Sequence, residues 1–246
     1  ISGWDVSSVN DMSYTFASAE SFSGDVSNWD VSSVTTMDSM FTNANMFNSD
    51  ISSWDVSNVT SLKGFCSGTD IFNQPIGNWN ISNVTNIAEM FYNADSFNQD
   101  LNSWDTSNVT NMNILFYGAE VFNGNITSWN TSNVTTMIEI FYLAKSFNQD
   151  ISSWDVSNIT NMNGAFRSAE SFNQPLDSWD TSNVTNMGGM FFHAINFNRD
   201  LNNWDTSNVT NMNSMFREAN NFNGNISNWN TSNVEYMSYM FHTNWN

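Results

Sequence analysis

Cations are scarce in this chain: five Lys and Arg stand against 24 Asp and Glu, a formal net charge of −19. That excludes nucleic acid as a partner, because a polyphosphate needs a basic surface, and it argues against an anionic membrane. A single cysteine, Cys66, leaves no intrachain disulfide to staple the fold. No apolar run approaches the length of a membrane span. The chain opens at Ile1 rather than Met and carries no signal peptide, so it reads as a processed form or a fragment. His193 and His242 sit beside no recurring nucleophile, and there is no glycine-rich phosphate loop and no metal-ligand spacing. The chain therefore does not read as an enzyme. Pairs of carboxylates such as Asp150 with Asp155 do occur, but their recurrence marks them as architecture, not as a tuned acid–base pair.

What is present is periodic. Aromatics make up 15% of the residues, too many for a disordered acidic chain. Trp recurs at 4, 29, 54, 79, 104, 129, 154, 179, 204 and 229, a 25-residue period without an insertion, and Trp245 alone is out of register. Eighteen of the 20 Phe fall in two columns, one headed by Phe16 and the other by Phe22, and Cys66 stands in the first where Phe is expected. The chain is thus one repeat domain over 1–246, with coils starting near 1, 26, 51, 76, 101, 126, 151, 176, 201 and 226. Stretches 101–135 and 201–234 match closely, which points to duplication of a four-coil block.

The coil 151–175 shows the expected local structure. Trp154 and Val156 alternate with Asp155, the period of a short strand with one face inward. Met162, Ala165, Phe166 and Ala169 are spaced i, i+3, i+4, i+7, one face of a short helix that Thr160 would cap. The spacing predicts an α/β solenoid, leucine-rich-repeat-like, of ten 25-residue coils, each a short parallel strand plus a short helix.

The run W-D-V-S-N-V-T-x-M followed by M-F-x-x-A-x-x-F-N-x-D-I resembles the bacterial surface protein repeat of mycoplasma and listerial surface lipoproteins. That repeat is similar in turn to BspA-type leucine-rich repeats. The resemblance spans essentially the whole chain and implies an extracellular or cell-surface location, with adhesive or structural work and no catalysis. The period here is 25, and no lipoprotein anchor accompanies the repeats.

Candidate sites are columns rather than points. Trp29, Trp54, Trp79, Trp104, Trp129, Trp154, Trp179 and Trp204 read as a core ladder, with sugar stacking as the competing use. Asp5, Asp30, Asp55, Asp105, Asp155, Asp180 and Asp205 form one acidic column, and Asp25, Asp50, Asp100, Asp150 and Asp200 another. Capping a turn at one column and keeping the strand face polar at the other accounts for both, and calcium is the weaker candidate ligand, at Asp100, Asp105, Asp150 and Asp155. N-glycosylation sequons fall at Asn58, Asn80, Asn83, Asn108, Asn125, Asn130, Asn133, Asn158, Asn183, Asn208, Asn225 and Asn230. The seven in the Asn58 column also fit a buried Asn ladder that bonds backbone from coil to coil. The Thr35–Thr210 column invites an ice-binding reading. No cofactor is called for otherwise.

These observations together predict an extracellular structural protein, a head-to-tail stacked filament or surface fibre whose partner is a second copy of itself. An adhesion module for a host protein or carbohydrate is the alternative, with ice binding a lesser one.

Overall fold

The computed structural model describes residues 1–243; Asn244, Trp245 and Asn246, part of the drift in the last copy, lie outside the described residues. The described chain is a stack of 25-residue coils, each hydrogen-bonded to the next in a constant register. It is not the predicted α/β solenoid. No residue of the described chain is helical, and no continuous strand forms. Isolated parallel bridges run instead through the Asp11 column, from Asp11–Thr36 to Asn211–Tyr236, and skip the pairing of Asn111 with Thr136.

The helix fails for a backbone reason. Positions 14 and 18 of the coils have positive φ: five glycines and fourteen other residues, among them Gly164 at 62° and Ser168 at 55°. A left-handed residue every fourth position cannot lie within a right-handed helix. The segment is a chain of tight turns. Ala165 N–H donates to Met162 O (3.1 Å), Arg167 to Gly164 O (3.0 Å) and Ala169 to Phe166 O (3.0 Å). The alternate amides turn outward to the next coil: Met162 donates to Asn186 O, Gly164 to Gly188 O, Phe166 to Met190 O and Ser168 to Phe192 O, all at 2.7–2.9 Å. A helix would turn every amide beyond its first turn along its own axis, where it could not bind coil to coil. Turns repeating every four residues bury the same i, i+3, i+4, i+7 set, and Met162, Ala165, Phe166 and Ala169 are all buried. Thr160 caps nothing; its hydroxyl donates to Thr135 O (3.4 Å).

The strand fails in the same way. Trp154 and Val156 point inward and Asp155 outward, but the segment is bracketed by turns, Trp154 N–H to Ile151 O and Ile159 N–H to Val156 O. Asp155 Oδ1 accepts the Ser157 amide at 3.0 Å and fixes the bend between them.

Side chains replace the sheet. Each interior Trp donates its indole N–H to the first carbonyl of the preceding coil, as Trp104 does to Ile76 O (3.0 Å). Rings stack in register: Trp104 on Trp129 at 6.0 Å, Phe91 on Phe116 at 5.5 Å and Phe97 on Phe122 at 6.0 Å. Each such pair adds about 0.5–1.5 kcal/mol beyond the burial of its area. At Cys66 the Phe column breaks, and Phe65 packs edge-on against Phe41 (5.4 Å) and Trp79 (5.6 Å). The Cys66 thiol is fully buried, and burial pushes its pKa up, so it is held protonated. Four buried threonines, Thr106, Thr131, Thr181 and Thr206, each donate their hydroxyl to a carbonyl of the next coil at 2.8–3.0 Å.

Candidate functional site

The alternation of inward and outward side chains sorts the coil into invariant and variable columns. Positions 12, 16, 19 and 22 face the core and repeat. Positions 13, 14, 17, 18 and 20 face outward along the turn segment, and there the repeat breaks down. Position 17 runs Tyr92, Tyr117, Tyr142, Arg167, Phe192, Arg217.

In the later coils that variation makes a ladder of cations and rings. Tyr92 stacks on Tyr117 (4.8 Å), and Tyr117 meets Tyr142 edge-on (4.5 Å). The Arg167 guanidinium lies over Tyr142 on one side (4.8 Å) and Phe192 on the other (4.5 Å). Arg217 lies over Phe192 (5.3 Å) and Tyr239 (5.5 Å). Beside this ladder the side chains vanish at Gly164, Gly188 and Gly189, which opens a cleft of about 390 Å³ bounded by Arg167 and Arg217. No carboxylate lines it. Neither arginine's buried Nε has a hydrogen-bond partner. Among the described residues Arg167 has no ion pair, while Arg217 Nε lies 3.5 Å from Glu218.

A second cleft of about 410 Å³ lies on the same strip in the earlier coils, where Asp70, Asp95 and Glu120 stack at position 20 beside Gly68 and Gly118. Desolvation, and then the neighbouring charges of Asp70 and Glu120, push the Asp95 carboxyl above its ordinary value. The acidic run ends at Lys145, whose ammonium sits 2.7 Å from Glu120.

The columns singled out in the sequence are placed as follows. The Trp ladder from Trp29 to Trp204 is 2–5% exposed and lies in the core, where no sugar reaches it. Asp100, Asp105, Asp150 and Asp155 each spend Oδ1 on an amide two residues on, so they are turn caps. Among the described residues no group of three or more Asp, Glu, His or Cys is placed to hold a metal ion. The same bonds, chiefly the serine hydroxyl and then the serine amide, hold Asp105, Asp150 and Asp155 below the usual carboxylate range.

The sequons divide into three geometries. Asn58, Asn83, Asn108, Asn133, Asn158, Asn183 and Asn208 are exposed, yet each Nδ2 donates to a Ser carbonyl of the preceding coil at 2.7–2.8 Å. Asn80, Asn130 and Asn230 accept a serine amide at Oδ1 and leave Nδ2 outward. Asn125 and Asn225 accept the Thr127 and Ser227 amides likewise. Threonine hydroxyls at 35, 60, 85, 110, 160, 185 and 210 donate to the preceding coil's carbonyl, as Thr60 does to Thr35 O (3.1 Å).

Sequence reasoning missed the arginine ladder and the acidic cleft, because it followed the columns that repeat. The usable signal was the opposite one, the columns that change.

No helix among the described residues is long and apolar enough to cross a membrane. A family model described as "Mycoplasma protein of unknown function, DUF285" matches residues 1–104, 96–191 and 174–246. The chain belongs to that family. No curated protein matches it.

Proposed function

We propose that this member of the Mycoplasma repeat family is a structural and adhesive element of the cell exterior, a stiff stack of coils that displays a variable strip to partners. The carrying observation is the division of labour within each coil. Inward positions 4, 16 and 22 keep an aromatic in nearly every coil, the other inward positions stay small or apolar, and the hydrogen-bond register is kept, while positions 13, 14, 17, 18 and 20 change freely. A scaffold that must stack constrains the first set, and recognition diversifies the second. The surface location rests on the resemblance of the repeat to bacterial surface proteins. No catalytic step belongs to this reading, nor does ice binding, since the threonine hydroxyls are engaged by backbone.

The test is small-angle scattering of the purified chain together with binding to immobilised glycans and surface proteins. An elongated particle with saturable binding supports the reading; a particle that binds nothing displayed on such surfaces removes the adhesive half of it.

Continuation of the stack is a second reading, favoured by the end coils. Trp4 is 62% and Phe241 55% exposed, whereas their interior equivalents are buried. Trp4, Val6, Met12 and Trp29 line an apolar cleft of about 560 Å³. Further coils, from a longer form of the chain or from a second copy, would cover both surfaces and complete the Trp and Phe ladders. Electron microscopy of concentrated material distinguishes fibres from discrete rods.

A further inference from the structure

Among the described residues, Arg167 in this cleft is a cation of this acidic protein with no acid beside it and no hydrogen-bond acceptor for its buried Nε. Lys63 pairs with Glu89 and Lys145 with Glu120, and Arg199 donates to the Asn173 carbonyl. Among the described residues Arg167 has neither an acid nor a carbonyl partner, and its Nε is buried without one. A buried guanidinium N–H left without an acceptor is costly. The rings of Tyr142 and Phe192 stabilise the positive charge through their faces. They accept none of the in-plane N–H bonds, so the fork stays fixed and open.

Around that fork the lining is neutral and polar. Asn213 spends Oδ1 on the Ser238 amide and keeps Nδ2, and among the described residues the Ser214 hydroxyl, which also lines the cleft, has no hydrogen-bond partner. Gly189 gives the cleft its depth. An added Cβ there meets nothing within 4 Å, although Glu89 and Glu139 occupy the same position elsewhere with the same positive φ. The long-range repulsion of a −19 chain is screened beyond about 8 Å at physiological salt; within that distance Glu218 offsets Arg217 at 3.5 Å and Glu139 lies against Gly164, so the cation left to set the sign is Arg167, which has no acid partner among the described residues.

From this geometry we infer that the cleft between Arg167 and Arg217 binds an acidic saccharide through its oxyanion. The guanidinium forks take the carboxylate or sulfate. The amide and hydroxyl donors of Asn213 and Ser214 take sugar hydroxyls. A volume near 390 Å³ accommodates one or two sugar rings. The inference deepens the adhesive reading and rests on it for biological meaning, but not for its chemistry.

The experiment is titration of the intact chain, followed by calorimetry or NMR shifts, with sodium glucuronate, N-acetylneuraminate and inorganic sulfate, at low and at physiological salt. Both sugar acids are expected to bind saturably, more tightly than sulfate and more weakly as salt rises. Arg167→Ala with Arg217→Ala should weaken them at least tenfold, and Arg199→Ala should leave them unchanged. Gly189→Glu leaves the arginines in place and supplies an internal carboxylate, so it should abolish binding with the fold intact by tryptophan fluorescence. Binding that survives Gly189→Glu or the double variant, or sulfate binding without either sugar acid, overturns the inference. Sugar-acid binding in solution by a chain that adheres to no acidic glycan surface would sink the adhesive reading and leave the site standing.

Discussion

The two clefts on the outward strip have nearly the same size and opposite chemistry. Both open where glycine replaces a side chain at a left-handed position, Gly164 and Gly189 in one and Gly68 and Gly118 in the other. One is bounded by Arg167 and Arg217 without a carboxylate, the other by Asp70, Asp95 and Glu120. Beneath both lie the same rings at the same spacing: Phe166 on Phe191 at 5.5 Å and Phe91 on Phe116 at 5.5 Å. The fold therefore sets where a cleft falls, and two or three outward side chains set its sign.

If the scaffold is common to the two regions, equal damage to the core should cost equally in each. Phe166→Ala under the arginine cleft and Phe116→Ala near the acidic one are each expected to lose about 3–5 kcal/mol. Both rings are fully buried between neighbours of the same kind. Urea denaturation of the two variants measures this. A difference larger than about 1 kcal/mol would mean that the seam at Asn111–Thr136, where the bridges skip, has weakened the middle of the stack.

That shared scaffold was largely legible. The 25-residue period, the Trp and Phe columns and the inward placement of Met162, Ala165, Phe166 and Ala169 all follow from spacing alone. The helix did not follow, because four-residue turns and a helix bury the same spacing, and only the sign of φ separates them. Gly64, Gly164 and Gly189 hinted at it, but Glu139, Leu143 and Ile114 hold the same conformation and hide the pattern. The arginine cleft was hidden by the repeat itself: residues that recur in every coil drew attention, and Arg167 occurs where recurrence stops.

The outward ladders are expected to matter less than the core and unequally. Arg167 bridges two rings, so Arg167→Ala should cost about 1–2 kcal/mol. Arg199 lies over none and should cost little on truncation. Thermal melts of both variants at moderate salt check this. Equal losses would show that the arginine ladder adds no stability of its own and that the cations are placed for the ligand alone.

The smallest effect separates the clefts by pH. Asp95 is raised by burial and by its acidic neighbours, so its charged form is disfavoured in the fold at neutral pH, and stability is regained as pH falls through its folded value. The turn-capping aspartates work the other way. Asp5, Asp30, Asp55, Asp105 and Asp205 are lowered by their serine bonds, so their contribution is present above the ordinary 3.8 and is lost as pH falls below it. Asp95→Asn should therefore stabilise the chain at pH 7 by under about 0.5 kcal/mol, because the site is solvent-screened. That advantage should vanish by pH 3, where wild type and variant both lose their caps together. An advantage that persisted undiminished into acid would mean that charge repulsion is not what distinguishes the acidic cleft, and that its difference from the arginine cleft lies in packing.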